Sequence, residues 1–353
     1  MFNFIKKNFA LLFMILFIIV FSIFNREEFI QNYENKTEEI YIQNSLETSI
    51  SNFKLENLKD IKNLEFYYTP YTNLLDKITN KIKSAKSRVY VEVYMLTEKR
   101  IKRALVEAEE RWIEVKIVLE KNPYKATWIN NKHFKYLDDS GIDIVWSNSD
   151  LYALNHSKFM IIDNEVIVSS GNFTYSTFAF NRDLFLFIND KNILEKFLKI
   201  FIWDFGQKYS LVYWDNLILS PDYSRKKFEI MFEKATKNID MYFQYLQDSK
   251  LEKFLIEKAK SWVKVRVVVS ENFIQNDKEK IKFFKKNNIE IKALLNTKMH
   301  SKAILIDWKY LFIWSVNFSS YSLDKNREIG LIFTNKNIIS DFSRLFEKDF
   351  ANN

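Results

Sequence analysis

The chain of 353 residues contains no cysteine, and it has only 4 glycines, 3 prolines and 3 histidines. The absence of cysteine excludes disulfide bonds and metal sites built on thiolates. The sequence also has neither a glycine-rich nucleotide loop nor the Gly-x-Ser-x-Gly elbow of a serine hydrolase. We therefore expect no cofactor and no metal, and we look for catalytic groups among the histidines and their neighbours.

Apolar residues and positive charge are abundant. Hydrophobic residues make up 47% of the chain, which is enough for a large core, and the formal charge is +8. A basic surface could bind anionic lipid or nucleic acid. The alternative is that lysine, asparagine, isoleucine and phenylalanine are all enriched because the genome is AT-rich, in which case the charge has no functional meaning.

The N-terminus carries the longest apolar segment. Residues 9–24 contain no charge and are preceded by Lys6 and Lys7. We predict that residues 1–25 form an uncleaved signal anchor, a transmembrane helix whose positive flank stays inside, so that the rest of the chain is extracytoplasmic. A cleaved signal peptide and a secreted protein are the alternative. Residues 26–63 are polar and are predicted to be a tether.

Beyond the tether the chain repeats itself. Residues 67–96 align with residues 217–246, and each segment reads as a helix followed by an alternating strand. Two further helix–strand pairs and a hairpin follow in each copy. This pattern predicts two α/β halves, residues 64–210 and 211–353, each with a largely parallel sheet.

The histidines mark the same register of both copies. The recurring set is His156, Lys158 and Asp163 in the first half, and His300, Lys302 and Asp307 in the second. Each set continues with a serine, an asparagine and an acid that follows Asn-Arg, which are Ser170, Asn172 and Asp183, and then Ser315, Asn317 and Glu328. The third histidine, His133, lacks such neighbours and is predicted to be an ordinary surface residue.

Strand parity separates the recurring residues into two groups. His156 and Lys158 are two apart, so extended backbone points both side chains the same way, whereas Asp163 has the opposite parity. The same holds for the second copy. Although the two aspartates belong to the recurring catalytic motif, we expect them to close the turn after the strand by bonding their own backbone.

The remaining groups suit a phosphodiester. Two lysines and two asparagines can bind its non-bridging oxygens, and the serines on the same face as the asparagines are further phosphate-binding candidates. One imidazole can attack phosphorus while the other protonates the leaving alkoxide. Asp183 and Glu328 are candidates for fixing the histidine tautomers. The alternative is a pair of decayed motifs in a binding protein without catalysis.

These residues resemble the phospholipase D superfamily, whose signature is a duplicated His-x-Lys-(x)4-Asp motif followed by a Gly-Ser-x-Asn segment. The resemblance covers both copies of the repeat. It implies two halves about a pseudo-twofold axis, one active site in the seam, and a monomer that is an internal pseudo-dimer. It also implies metal-independent hydrolysis or transphosphatidylation through a phosphohistidine, with His156 as nucleophile and His300 as acid and base. By the same resemblance the phosphate ligands are Lys158, Lys302, Asn172 and Asn317.

The sequence departs from that signature in a few positions. The asparagine of the first half lies one residue closer to its motif than that of the second half, and Asp183 is shorter than the glutamate of the second half. Trp314 stands at the family's glycine.

Four tryptophans occupy positions where glycine is expected. Trp112 and Trp262 stand at helix–strand junctions, Trp308 follows the aspartate in the hairpin, and Trp314 precedes the serine. The hypothesis is that all four are glycines, because some AT-rich bacteria read the codon UGA as glycine while another codon table translates it as tryptophan. The codons themselves test this, since UGG at these positions would disprove it.

Together these patterns predict a membrane-anchored, extracytoplasmic phosphodiesterase of the phospholipase D type. The anchor and the basic surface favour a phospholipid membrane as partner, with phosphatidic acid or an exchanged head group as product. A nuclease that binds nucleic acid through the same charge is the alternative, and a degenerate binding protein is the second alternative.

Overall fold

The computed structural model describes residues 44–70, 73–209 and 211–351. The chain divides into one unit that ends at Asn52 and a second that begins at Phe53. In the first unit, residues 44–51 form helix α1. The predicted signal anchor lies outside the described residues, and none of the helices within them has the length and apolarity that a membrane span needs.

The first half of the repeat is a seven-stranded sheet with flanking helices. Its elements are β1 (Leu64–Tyr68), α2 (Leu74–Ser84), β2 (Arg88–Val93), α3 (Lys99–Glu109), β3 (Glu114–Leu119), α4 (Asn131–Asp138), β4 (Asp143–Trp146), β5 (Lys158–Ile162), β6 (Glu165–Ser169), α5 (Tyr175–Ala179), β7 (Asn181–Arg182), β8 (Leu184–Ile188) and α6 (Lys191–Phe205). The strand order is β1-β8-β6-β5-β2-β3-β4.

The second half repeats this arrangement. Its elements are β9 (Leu217–Ser220), α7 (Ser224–Lys234), β10 (Asn238–Tyr242), β11 (Leu246–Gln247), α8 (Ser249–Lys260), β12 (Lys264–Ser270), α9 (Glu271–Asn276), α10 (Lys278–Lys286), β13 (Ile289–Leu294), β14 (Lys298–Met299), β15 (Ala303–Ile306), β16 (Tyr310–Trp314), β17 (Phe318–Ser319), α11 (Ser320–Asp324), β18 (Glu328–Phe333) and α12 (Lys336–Ala351). The order β9-β18-β16-β15-β10-β12-β13 is the same, strand for strand, as that of the first half.

The prediction of two α/β halves is confirmed, but the prediction of a largely parallel sheet is wrong. Only β2, β3 and β4 are parallel in the first sheet, since helices connect them, and their counterparts β10, β12 and β13 are parallel in the second. In the first sheet the hairpin strands β5 and β6 and the strand β8 make four antiparallel pairings. Their counterparts β15, β16 and β18 make four in the second sheet. A short hairpin turn reverses the chain and leaves no room for the crossover that a parallel pair needs.

The last part of the predicted polar tether belongs to the second half. Phe53 and Leu55 are buried in the same apolar cluster as Ile218 and Phe228. The side chain of Asn216 accepts a hydrogen bond from Lys59 N (3.1 Å) and donates one to Lys59 O (2.8 Å). The tether prediction is therefore wrong for this segment, because two apolar side chains are sufficient to fix it on the core.

Three of the four questioned tryptophans have left-handed backbone. The φ angles are 63° at Trp112, 67° at Trp262 and 53° at Trp308. Trp112 and Trp262 lie just beyond the ends of helices α3 and α8. Trp308 lies in the turn between β15 and β16, beside Asp307, whose φ is 54°. A residue with a Cβ is strained in this region, so the expectation of glycine-type backbone is confirmed at these three positions.

Trp314 differs from the other three, because its backbone is not left-handed and does not itself require glycine. It has strand backbone in β16, it is fully buried, and its Nε1 donates to Val316 O (2.7 Å). Its partner across the sheet is Gly330, and a Cβ built on that glycine would lie 2.2 Å from the Cβ of Trp314. The first half pairs Ser169 with Phe185 at this position, so the large and small members of the pair are exchanged and the volume is conserved.

Glycine substitutions are expected to act in opposite directions at these sites. Trp112 is 93% exposed and Trp262 is 94% exposed, so Trp112→Gly and Trp262→Gly relieve strain without loss of packing and should each raise the free energy of unfolding by about 1 kcal/mol. Trp314→Gly should lower it by about 3–5 kcal/mol, because it opens a cavity beside Phe228 and Phe318. Urea unfolding of each variant measures this. Shifts of the same sign at Trp112 and Trp314 would contradict the assignment.

Candidate active site

The two histidines lie where the halves meet. His156 lies two residues before β5, and its main-chain N donates to the carbonyl of Arg327 in the other half (2.8 Å). His300 lies three residues before β15, and its N donates to the carbonyl of Arg182 (3.2 Å). Two short parallel bridges flank these contacts, one between Asn155 and Arg327 and one between β14 and β7. The recurring motifs are therefore brought into one seam.

Each histidine is paired with the acid of the opposite half. His156 Nδ1 lies 2.8 Å from Glu328 Oε2, and His300 Nδ1 lies 2.8 Å from Asp183 Oδ1. Both acids are fully buried. A carboxylate on Nδ1 holds the proton there and leaves Nε2 as the reactive nitrogen. The prediction that these acids orient the histidines agrees with the geometry. Because each histidine is paired with an acid from the other half, neither half has a complete site alone.

The motif lysines lie beside the histidines. Lys158 Nζ donates to His156 O and Lys302 Nζ to His300 O, each at 2.6 Å. Lys302 also reaches across the seam to the carbonyl of Ser170 (3.3 Å). Both ammonium groups are fully buried, and both point toward the histidines as strand parity predicted.

The asparagines retain unused hydrogen-bonding capacity. Asn172 Oδ1 and Asn317 Oδ1 are buried and have no hydrogen-bond partner among the described residues. An unsatisfied buried polar atom costs about 1–3 kcal/mol. A bound ligand would recover this energy, so both asparagines remain predicted ligands of the phosphate.

The serine hydroxyls are hydrogen-bonded to the segments that carry the two acids. Ser170 Oγ donates to Asp183 Oδ1 (2.9 Å) and accepts from Leu184 N (3.0 Å). Ser315 Oγ makes the corresponding bonds to Ile329, donating to its carbonyl and accepting from its amide. Because these hydroxyls are already used in fixing the strand that carries the acid, the contacts favour a positioning role over phosphate binding.

The motif aspartates lie outside the catalytic cluster. Asp163 accepts bonds from the main-chain N of Lys86, Ser87 and Arg88, at 2.8–3.2 Å. Asp307 accepts equivalent bonds from the main-chain N of residues 236–238, at 2.7–3.1 Å. Burial opposes ionisation, but these donors keep the pKa of each aspartate below its ordinary value. Both aspartates belong to the recurring catalytic motif in the sequence, and the structure corrects this assignment because it places them outside the seam. They do hold a turn, as predicted, but through the neighbouring loop and not through their own backbone.

The sequence analysis missed the arginines that precede the two acids. Arg327 is fully buried, and its Nε and Nη2 donate to Asp204 in α6 (2.8 and 3.2 Å). Arg182 makes the equivalent pair with Asp349 in α12 (2.8 and 2.9 Å). Each pair joins the two halves next to a histidine. The signal was present, because Asn-Arg-acid recurs in both copies.

The buried charges of the seam act on one another. Burial lowers the pKa of His156 to about 4, and Lys158 and Lys302 add to this while Glu328 opposes it. Burial likewise lowers the pKa of His300, with Asp183 opposing. Both imidazoles are therefore neutral near pH 7 before an anion binds. Burial acts to raise the pKa of Glu328, but its basic neighbours outweigh this and keep the carboxylate ionised.

Deprotonation of Lys302 is expected to weaken anion binding at high pH. Burial lowers its pKa to about 8, against the raising effects of Asp183 and Glu328. Above that pH the ammonium loses its proton, so affinity for an anionic phosphodiester should fall, by about fivefold between pH 8 and pH 9.

Calorimetric titration with glycerophosphocholine, whose diester charge is constant over this range, measures the effect. Lys302→Arg should weaken the pH dependence, since a guanidinium stays charged. An unchanged pH profile in this variant would show that another group titrates.

Comparison with known proteins identifies the class. The family model described as "Cardiolipin synthase, PLD-like domain" matches the chain twice, over residues 78–205 and 229–350. The two matches cover more than half of the chain and coincide with the two halves of the fold. The protein belongs to this phospholipase D-like family of phosphodiester hydrolases and transferases.

Individual relatives are distant. The chain is similar to a phospholipase D of Rickettsia prowazekii, with 27% identity over 164 residues that cover 45% of this chain and 77% of the relative. The phospholipase D of Rickettsia typhi is 26% identical over 155 residues, covering 43% and 72%.

Two solved structures share the fold over most of the chain. The phosphatidylserine synthase of Haemophilus influenzae superposes with a TM-score of 0.65 at 13% identity, covering 86% of this chain and 89% of that one. The polyphosphate kinase of Porphyromonas gingivalis gives 0.64 at 17% identity and covers 81% of this chain, which spans 50% of the kinase. At these identities the likeness concerns the fold alone.

Proposed function

We propose that this protein is a metal-independent phospholipid phosphodiesterase that works through a phosphohistidine and either hydrolyses the lipid to phosphatidic acid or exchanges its head group. The observation that carries the proposal is the crossed pairing of His156 with Glu328 and of His300 with Asp183. Two imidazoles, each with a buried carboxylate on Nδ1 and a buried ammonium group beside it, suit an in-line displacement at a phosphodiester.

In the first step, His156 Nε2 attacks phosphorus as the bond from phosphorus to the head-group oxygen breaks. His156 is suited to this role, because it is neutral and its Nδ1 proton is held by Glu328. The phosphate anion beside Asp183 favours a proton on His300, which then donates from Nε2 to the leaving oxygen. Lys158 and Lys302 stabilise the charge that develops on the non-bridging oxygens.

In the second step, a hydroxyl group arrives where the head group left. His300 Nε2 takes its proton, the oxygen bonds to phosphorus, and the bond from phosphorus to His156 breaks. Water yields phosphatidic acid, and an alcohol yields a new phospholipid. The seam residues perform the same operations in both cases, so the arriving hydroxyl decides the product.

The test is incubation of the full-length protein in EDTA with mixed phospholipid vesicles and, separately, with single- and double-stranded DNA. Phosphatidic acid or an exchanged lipid, absent in His156→Ala and His300→Ala, would support the proposal. Cleaved DNA with intact lipid would assign the site to a nuclease instead. Binding of phosphate esters that is insensitive to His156→Ala, without any turnover, would favour a non-catalytic binding protein.

A further inference from the structure

The loop that follows β3 combines exposed aromatic rings with uncompensated positive charge. We call residues 121–132 the basic loop. It contains no acidic residue, and its exposed lysines are Lys121, Lys125 and Lys132. Tyr124 is 72% exposed and Trp128 is 70% exposed. Because burial of such rings is favourable, the loop presents both apolar surface and positive charge to a binding partner.

The basic loop is fixed to the ends of β2 and β3 beside His156. The side chain of Asn130 is buried and donates to Tyr94 O and to Glu120 O, each at 2.8 Å. The main-chain N of Tyr124 donates to the phenolic oxygen of Tyr94. The ring of Tyr94 lies edge-on to that of His156, with 4.6 Å between the ring centres. A single tyrosine therefore connects the loop to the histidine, and the loop lies at the edge of the seam.

The corresponding segment of the second half has a different character. After β12 the chain forms α9 and the start of α10, and residues 271–282 carry three acids beside three lysines. One of these acids, Glu279, is paired with Lys282 (2.7 Å). The charges of this segment compensate one another, whereas those of the basic loop do not. Attraction to an anionic surface is therefore concentrated on the side of His156.

A membrane surface and a nucleic acid would both attract such a loop, and the arrangement favours the membrane. Tyrosine and tryptophan rings are typical of the lipid–water boundary, and each lysine close to anionic lipid adds attraction. Non-specific binding of a nucleic acid strand uses a basic groove that follows the backbone. A strand that crossed the seam would meet the compensated charges of residues 271–282, whereas one exposed loop is sufficient to contact a flat anionic surface.

We propose that the basic loop is the surface with which the seam docks on anionic phospholipid membranes. Tyr124 and Trp128 enter the head-group layer, and the three lysines bind lipid phosphates. The inference rests on the proposed function for its choice of lipid as the partner. Docking through this loop brings His156 to the membrane surface, because only Tyr94 lies between them.

A label at one position tests docking without turnover. The chain contains no cysteine, so Thr127→Cys, at an exposed position of the basic loop, provides a single attachment point for an NBD fluorophore. The labelled full-length protein is titrated with vesicles of phosphatidylcholine and with vesicles that also contain phosphatidylglycerol. We expect the anionic vesicles to shift NBD emission to the blue, with an affinity at least about tenfold higher than that for phosphatidylcholine alone.

Glu110→Cys is the control position for the label. Glu110 is exposed and lies before β3, at the opposite end of this strand from the basic loop, so its label should show no shift. Any membrane contact that residues 1–25 make is common to both labelled proteins and cannot produce a difference between them.

Substitutions in the labelled Thr127→Cys protein separate charge from apolar contact. Glutamine at Lys121, Lys125 and Lys132 should weaken binding of anionic vesicles about 10²-fold. Serine at Tyr124 and Trp128 should weaken it about tenfold. The matched control replaces three exposed lysines before β10 and β12 by glutamine and should change the affinity less than about threefold, because these charges lie far from the docked surface. The control lysines are Lys234, Lys237 and Lys260.

The outcomes decide separately on docking and on catalysis. An unchanged NBD signal on anionic vesicles, or equal losses in the lysine variant and its matched control, overturns the inference even where phosphatidic acid is formed. A signal that responds to single-stranded DNA and not to vesicles assigns the loop to nucleic acid and also overturns it. Docking on anionic vesicles that depends on the loop, without any turnover of lipid, supports the inference and counts against the proposed function.

Discussion

With a substrate whose leaving group needs no proton, such as a p-nitrophenyl ester of phosphatidic acid, full-length His300→Ala is expected to accumulate a phosphatidyl group on His156, whereas His156→Ala should form no covalent intermediate. In the proposed mechanism His156 carries the nucleophile, and its Nδ1 partner Glu328 is intact in His300→Ala. Without His300 the second hydroxyl is not deprotonated, so the intermediate persists. Both substitutions should lower turnover by at least about 10⁴-fold, because a covalent mechanism fails when either member of the pair is missing.

The measurement is acid-labile, base-stable label on the protein after a brief reaction with the p-nitrophenyl ester radiolabelled at phosphorus, located by peptide mapping. His133→Ala is the control, since this third histidine lies on α4 with its Nδ1 2.6 Å from Lys102 Nζ and belongs to neither motif, and it should keep turnover within about twofold. Label on His300 in the His156→Ala protein would reverse the two roles.

Substitution of the acids should lower turnover less than substitution of the histidines. Glu328→Gln keeps the size of the side chain but removes the charge that holds the Nδ1 proton of His156, and mixed tautomers should lower turnover by about 10²- to 10⁴-fold. A change in KM alone would indicate that Glu328 only supports the fold of the seam.

The composition of the site could be predicted from the sequence, but its connectivity could not. The spacing of His156 and Lys158, repeated in the second half, identifies groups that the structure brings together in the seam. A duplicated sequence supplies two acids and two histidines in equal register, and nothing in the spacing decides which pairs form. Only the packing of the halves places Glu328 on His156.

Trp314 illustrates a second limit. The repeat aligns it with Ser169, and a small residue is the natural expectation there. The structure pairs Trp314 with Gly330 and Ser169 with Phe185, so the large side chain of the pair lies on opposite strands in the two halves. Such an exchange is visible only when the register of both sheets is known. By contrast, the left-handed positions of Trp112 and Trp262 follow from local helix–strand junctions, and the sequence alone was sufficient there.

The buried arginine of the second half is expected to control the stability of the seam. Arg327 faces Asp204 directly, and Asp222 Oδ2 lies 3.6 Å from its Nη1. Burial raises the pKa of both carboxyl groups and Arg327 opposes that rise, while Glu92 nearby has a pKa well above its ordinary value because of burial and the charge of Asp204. Arg327→Met leaves this acidic cluster without its cation and should lower the free energy of unfolding by about 3–5 kcal/mol at pH 7.

The pH dependence of that loss distinguishes lost charge from lost packing. Without Arg327 the pKa of Asp204 in the folded protein rises further above its unfolded value, so the folded state binds more protons and stability falls as pH increases. The destabilisation should therefore be larger at pH 8 than at pH 5, and Arg327→Met combined with Asp204→Leu should recover part of it.

Arg182 provides the matched comparison. Its partner Asp349 accepts a hydrogen bond from the phenol of Tyr242, and Tyr242 occupies the position in the second half that Glu92 occupies in the first. Arg182→Met should destabilise the protein with a weaker dependence on pH. Equal losses at pH 5 and pH 8 in Arg327→Met, measured by urea unfolding, would mean that the guanidinium acts through packing against Tyr152 and that the acidic cluster does not need its charge.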